Sequence, residues 1–214
     1  MTVNAPKSSV SSRNGQRGRP RDEAFDDRIL AAGFDELARG GISHFSVSAV
    51  ARRAGVAKGT IYLRWPTREQ LILDSSALIL NEIRPPAPGD LRQQLTDLAD
   101  SWIAVFSQPQ AVELLLRVDA DRSKHPELFR TIFQRLQGAG NRIVEQAIRD
   151  AQRRGEADPS CDPTLLTRMF VGSLFVEALA HTPAGQISSS FRDEMIDVLI
   201  RAIRMSPAPV PADG

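Results

Sequence analysis

A chain of 214 residues, 42% apolar and 25% charged, holds one or two domains with an ample core, and its composition is neither disordered nor fibrous. The formal net charge of +1 hides an asymmetry: residues 1–68 carry twelve Lys/Arg against six Asp/Glu, residues 69–214 fifteen against twenty, and a basic head on an acidic body points to a polyanion at one end. A single cysteine, Cys161, excludes an intrachain disulfide and argues against a cysteine-based zinc site; no run of about 18 apolar residues suggests a membrane span, and no signal-peptide centre opens the chain, so a cytoplasmic protein is expected.

Residues 1–21 are rich in Ser, Asn, Gly and Pro and carry Lys7, Arg13, Arg17, Arg19 and Arg21 without an acid. Such a segment builds no core and is expected to be a disordered basic arm. From Asp22 an amphipathic helix runs to Arg39. Asp22, Glu23, Asp26 and Asp27 suit its positive end, Phe25, Ile29, Leu30, Phe34 and Leu37 form its apolar stripe, and Gly40-Gly41 ends it. A short helix over 47–54 follows, capped by Ser46. After the turn Gly55-Val56-Ala57, another short helix runs from Lys58 to between Leu63 and Trp65, where Pro66 stops it. Thr67 and Gln70 read as a capping box opening a long helix over 67–83. Pro85-Pro86-Ala87-Pro88-Gly89 is a stiff linker. Helices are then expected over 90–106, 109–121, 126–153, 162–180 and 188–204, about nine in all, with residues 206–214 a tail. No strand-like alternation persists, so the fold class is all-α.

The informative stretch is Ser46–Trp65. Two short helices joined by a glycine turn, with small Ala54 at their crossing, outline a helix-turn-helix. Its second helix enters a major groove with its N-terminal residues on bases and phosphates. Lys58 is placed to neutralise phosphate, Gly59 keeps the backbone close to DNA, and Thr60 offers a hydroxyl and a methyl to base edges. Tyr62 reaches a phosphate with its phenol while Ile61 faces inward. Arg52, Arg53, Arg64 and Arg68 add charge around this surface.

Gly41-Ile42, Phe45-Ser46-Val47, Val50-Ala51 and the run Ala54–Leu71 hold residues in a register that resembles the DNA-binding domain of TetR-family transcriptional regulators, over about residues 23–73. The resemblance implies a three-helix DNA-binding domain (22–66) on a helical ligand-binding and dimerisation bundle (67–205). It implies a homodimer on a palindromic operator, most simply a repressor released by a small-molecule effector; a constitutive DNA-binding protein or an activator is the alternative. Carried over by position, Ser46 touches a phosphate and caps its helix, Lys58, Thr60 and Tyr62 make the recognition contacts, and Arg68 stands at a phosphate-facing lysine position. Ala57 departs from the usual capping Ser, a cost of about 1 kcal/mol; Arg64 and Trp65 replace the usual His or Tyr and Phe. Residues 124–180, through Arg153-Arg154-Gly155-Glu156, Asp162-Pro163 and Leu165-Leu166, resemble the C-terminal domain of one branch of the family.

Arg17-Gly18-Arg19-Pro20-Arg21 resembles an AT-hook core, whose arginines lie along a narrow A·T-rich minor groove; the alternative is a solvated tail with generic phosphate attraction. In the body, Trp102, Phe106, Phe129, Phe133, Phe170 and Phe175 lie on helical stripes, as core or as the lining of an apolar cavity. Glu177 sits in an otherwise apolar run and Arg117 follows Leu114-Leu115-Leu116. Each needs a partner or a polar pocket, so ligand contact and an internal or dimer-interface ion pair stay open for both. The ligand-binding candidates are Trp102, Phe106, Arg117, Phe133, Phe170 and Glu177. The resemblance puts the last two helices in the dimer, with Phe175, Leu179, Met195, Val198, Leu199 and Ala202 at the interface; an intramolecular core is the alternative. His44, His125 and His181 form no metal pattern, Cys161 has no evident base, and no glycine-rich phosphate loop precedes a helix. No enzyme, no cofactor and no metal is therefore expected.

Overall fold

The computed structural model describes residues 19–80, 83–180 and 187–204. Among them are nine α-helices, one 3-10 turn and no strand. The helices are α1 (Arg19–Gly40), α2 (Val47–Ala54), α3 (Lys58–Arg64), α4 (Arg68–Ser76), α5 (Leu91–Phe106), α6 (Pro109–Ala120), α7 (Pro126–Arg153), α8 (Pro163–Ala180) and α9 (Ser189–Ile203), with the 3-10 turn Ala77–Leu80 between α4 and α5.

Local chemistry sets most boundaries. Ser46 Oγ accepts the Ala49 N–H at 3.3 Å and caps α2. Gly55, at φ 68°, ends it in the left-handed region that favours glycine. Thr67 Oγ1 accepts the Gln70 N–H at 3.2 Å and Gln70 Oε1 the Thr67 N–H at 3.3 Å, the reciprocal box that starts α4. Asp90 and Ser188 cap α5 and α9, and Pro109 and Pro126 open α6 and α7, where their missing N–H costs nothing. From α5 onward the expected bounds fall within one residue of those observed.

Two boundaries differ. α1 begins at Arg19, ahead of the acidic cluster, because Pro20 is pre-organised for a first helical turn; Arg19 and Arg21 therefore stand on the helix. The helix expected over 67–83 is α-helical only to Ser76 and tightens into the 3-10 turn. Ser75 and Ser76 are wholly buried there, where α4 crosses α1 at Gly33. A Cβ on Gly33 would stand 2.1 Å from Ser75 Oγ, so the crossing depends on glycine.

α1 packs on α2, α4 and α6, so one continuous core joins the N-terminal helices to the body. In the body α5, α7, α8 and α9 pack together. Ion pairs Arg92–Asp197 and Arg192–Asp100, each at 2.6 Å, tie α5 to α9. Glu156 Oε2 accepts the Leu91 N–H at 2.8 Å, so the Arg153–Glu156 turn, with Gly155 at φ 76°, also satisfies the start of α5. The exclusion of a span needs one correction: α8, at 18 residues and mean hydropathy 1.2, is long and apolar enough to cross a membrane by length and composition. It is apolar on most sides for a packing reason. Leu166, Phe170, Leu174 and Ala178 enter the core, while Val171 and Phe175 line a cavity and Met169 a groove beside α9.

Candidate functional site

The exposed surface of the head is the outer side of α3. Ile61 is fully buried and points α3 into the core; residues on the far side of a helix from it therefore face out. Lys58 and Gly59 are exposed, Thr60 is half-buried and Tyr62 is 41% exposed. Lys58 Nζ stands 5.7 Å from the centre of the Tyr62 ring, so the cation and the phenol occupy one patch. Nothing lies within 4 Å of where a Gly59 Cβ would be, which leaves a flat opening in that patch. Leu63 is 84% exposed on the same helix. The signal for it was in the sequence: two residues after inward Ile61, it turns away from the core.

The arginines divide. Arg52 stays exposed at the end of α2. Arg53 turns back to Asp35 at 3.2 Å and Glu36 at 3.9 Å on α1. Arg64 pairs with Asp26 and stacks 5.0 Å over the Phe25 ring. Arg68 donates from Nε to the Phe45 carbonyl at 3.1 Å and from Nη2 to the Ile42 carbonyl, binding the start of α4 to the loop before α2. Arg64 and Arg68, expected to add charge toward DNA, both make intramolecular ties here while keeping part of their side chains exposed. Arg17 lies outside the described residues. Ala57 caps α3 with its backbone alone, in an extended conformation without a side-chain hydrogen bond.

Beneath the head lies a cavity of about 380 Å³ between α5, α6, α7, α8 and the 3-10 turn. Trp102, Phe106 and Phe133 line it, together with Phe129 and Phe175. Three expected ligand residues do not. Phe170 is fully buried because it faces the core side of α8, Arg117 is exposed on α6, and Glu177 is half-buried on α8 away from the lining. Phe175, expected at a dimer interface, lies 5.6 Å from the Phe106 ring inside the cavity wall. Met195, Val198 and Leu199 line a shallow groove with Met169, Ser173 and Phe191 between α8 and α9. Ala202 is exposed and Leu179 packs partly against the core.

Two polar ties join head and body, and sequence reasoning missed both. Asp121, 7% exposed at the end of α6, accepts the Ser43 N–H at 2.9 Å and the Ser43 hydroxyl at 2.6 Å. Burial pushes its carboxyl up, but the Ser43 hydrogen bonds with Lys124 and His125 outweigh it and hold the group below its ordinary 3.8. Gly41, at φ 64°, leaves room for this carboxylate: a Cβ there would be 2.5 Å from Asp121 Oδ2 and 3.0 Å from the Arg117 carbonyl oxygen. At the other end, Trp65 donates from Nε1 to Asp74 at 3.0 Å, and Asp74 pairs with Arg135 of α7 at 3.1 Å. No local pattern announces contacts between residues 78 or 61 positions apart.

An exposed α3 carried by a helix pair, on a helical body with an apolar cavity, is the arrangement of a helix-turn-helix protein. Comparison with known proteins agrees. Residues 29–74 match the model for bacterial regulatory proteins of the tetR family, and residues 85–199 the model for the tetracycline repressor-like C-terminal domain. The chain is 30% identical over 192 residues to the DNA-binding transcriptional repressor TetR of Mycobacteroides abscessus, covering 86% of this chain and 96% of that one. It is 26% identical over 199 residues to the HTH-type transcriptional regulator YdeS of Bacillus subtilis, covering 90% and 96%. The fold matches that of the fatty acid degradation regulator FadR from Bacillus halodurans with a TM-score of 0.68 at 18% identity, over 84% of this chain and all of that one. The chain belongs to the TetR family of bacterial transcriptional regulators. It is a DNA-binding regulator and not an enzyme.

Proposed function

We propose that this protein is a cytoplasmic homodimeric repressor that holds a palindromic operator and lets go when a small molecule enters the cavity. The observation that carries the release step is the pair of ties: α6 and α7, which both line the cavity, are the helices bonded to the head through Asp121–Ser43 and through Arg135–Asp74–Trp65. An occupant that favours one arrangement of α6 and α7 biases the head by its difference in affinity for the two states. Operator binding then depends on two α3 helices about 34–36 Å apart, in successive major grooves. Lys58, Thr60 and Tyr62 contact DNA, Ser46 a phosphate, Gly59 allows close approach, and Leu63 meets a thymine methyl. Arg17, Arg19 and Arg21 add affinity beside each half-site. The groove of Met169, Met195 and Val198 between α8 and α9 supports pairing of two copies there. The repressor reading is supported by the name of the Mycobacteroides abscessus relative.

The test is selection of bound duplexes from a random library at about 150 mM salt, since affinity without a salt value is uninterpretable. Wild type runs beside a Lys58→Ala, Tyr62→Ala variant. The expected result is a palindromic consensus that the variant loses. No consensus, or one the variant keeps, overturns the reading.

A further inference from the structure

We infer that Leu63 is a base-specificity residue of the operator contact, and that the group it selects is the 5-methyl of one thymine in each half-site. The inference deepens the operator-binding reading and rests on it; it is independent of the cavity and of release. α3 has one inward anchor, Ile61, which is fully buried. At about 100° per residue, Gly59 and Leu63 each lie about 160° round the helix from Ile61 and straddle its most outward line. Lys58 and Tyr62 fall on one flank, the ammonium 5.7 Å from the ring. Thr60 and Arg64 fall on the other, where Arg64 pairs with Asp26 and stacks over Phe25. The exposures agree: Leu63 is 84% exposed and Tyr62 41%, while Thr60 and Arg64 are half-buried.

The crest of α3 therefore pairs a residue without a side chain and a branched alkyl group one turn on, which are neighbours on one face. Nothing lies within 4 Å of where a Gly59 Cβ would be, so the crest is an open step beside an apolar knob. It offers a base no side-chain donor or acceptor; those groups stand on the flanks. Exposed Lys58, with exposed Arg52 on α2, suits the phosphates at the edges of a groove, which leaves the crest to its floor. There the one alkyl group on any base edge is the thymine methyl. Leucine pressed on a cytosine amine or a purine N7 strips water from a polar atom and returns no hydrogen bond. Against the methyl it buries apolar surface on both partners. Because Leu63 is so exposed, it supports little in the fold, and its removal reads the contact alone.

The tightest duplex from the random-library selection is resynthesised with each thymine in turn replaced by uracil, which removes only the methyl. The full-length chain and its Leu63→Ala variant are titrated with each duplex at about 150 mM salt. Wild type is expected to lose about fourfold in affinity at one thymine per half-site, the worth of one buried methyl. Leu63→Ala, melting as wild type, binds the thymine and uracil duplexes within about 1.5-fold of each other, a ratio that a merely structural role for Leu63 would not change. Wild-type indifference to uracil at every position overturns the inference, as does a consensus without thymine. So does a thymine preference that survives in Leu63→Ala, which would give the methyl to Thr60. The outcomes separate this inference from the operator reading. A palindromic consensus without thymine sensitivity overturns the inference and keeps that reading. A single half-site with a Leu63-dependent thymine keeps the inference and overturns the paired reading. No consensus at all overturns both.

Discussion

Asp121→Ala is the sharpest test of how the head is held. Asp121 gives Ser43 two hydrogen bonds, at 2.9 and 2.6 Å, from a nearly buried carboxylate. Bonds to a charged group contribute about 1.5–3 kcal/mol each, but removing the carboxylate also removes its burial penalty, so a net loss of about 2–3 kcal/mol is expected. For a chain of this size that lowers Tm by roughly 5–10 °C. Asp121→Asn loses less, about 1 kcal/mol, because the amide oxygen still takes the Ser43 N–H and the Ser43 hydroxyl can reverse and accept from the amide nitrogen. Ser43→Ala removes only the 2.6 Å bond and also loses about 1 kcal/mol, and the double variant falls short of the sum. Calorimetric melts at one fixed protomer concentration measure all four, since the proposed dimer would make Tm concentration-dependent. Acid supplies the sign. The Asp121 carboxyl sits below its ordinary 3.8 in the folded chain, so its contribution is full above that value and disappears as pH falls through the lower folded one. The gap between wild type and Asp121→Ala is therefore flat near neutrality and closes in strong acid. An Ala variant melting within 1 °C of wild type, or an Asn variant as damaged as Ala, refutes the reasoning.

Three further outcomes follow from the same geometry. Ala57→Ser supplies the missing side-chain cap of α3 and raises stability by about 0.5–1 kcal/mol in denaturant melts; no rise means that the extended backbone at position 57 already satisfies the turn. Gly41→Ala and Gly55→Ala both force a left-handed φ on alanine, about 1 kcal/mol each. Only position 41 adds a collision with Asp121 and Arg117, whereas position 55 is open, so Gly41→Ala is the more damaging in the same melts, and equal losses contradict that packing. Salt titrations of operator binding separate contact from support. Lys58→Ala reduces the slope of log affinity against log salt by about one, while Arg64→Gln and Arg68→Gln lower Tm and leave that slope unchanged. A flattened slope for Arg68→Gln would put its guanidinium on phosphate.

The sequence by itself determined the helices, because capping side chains, prolines and apolar spacing act over a few residues. Thr67 with Gln70, Ser46, Asp90 and the prolines that open α6 and α7 all stand where local rules put them. It determined the family, through a dense run of residues in register, and with it the outward side of α3. Tertiary structure decided which charges point outward and which turn in. Arg53, Arg64 and Arg68 read alike along the chain, yet acceptors on α1 and on the Ile42–Phe45 loop draw all three back. It also decided which aromatics line the cavity: Phe170 and Phe175 share one apolar helix, and the packing around α8 sends one to the core and the other to the cavity wall, against Phe106 of α5. The ties Asp121–Ser43 and Arg135–Asp74 had no trace in local pattern. Hydrogen bonds between distant segments depend on where two helices come to rest, and that is set by the packing of the whole core.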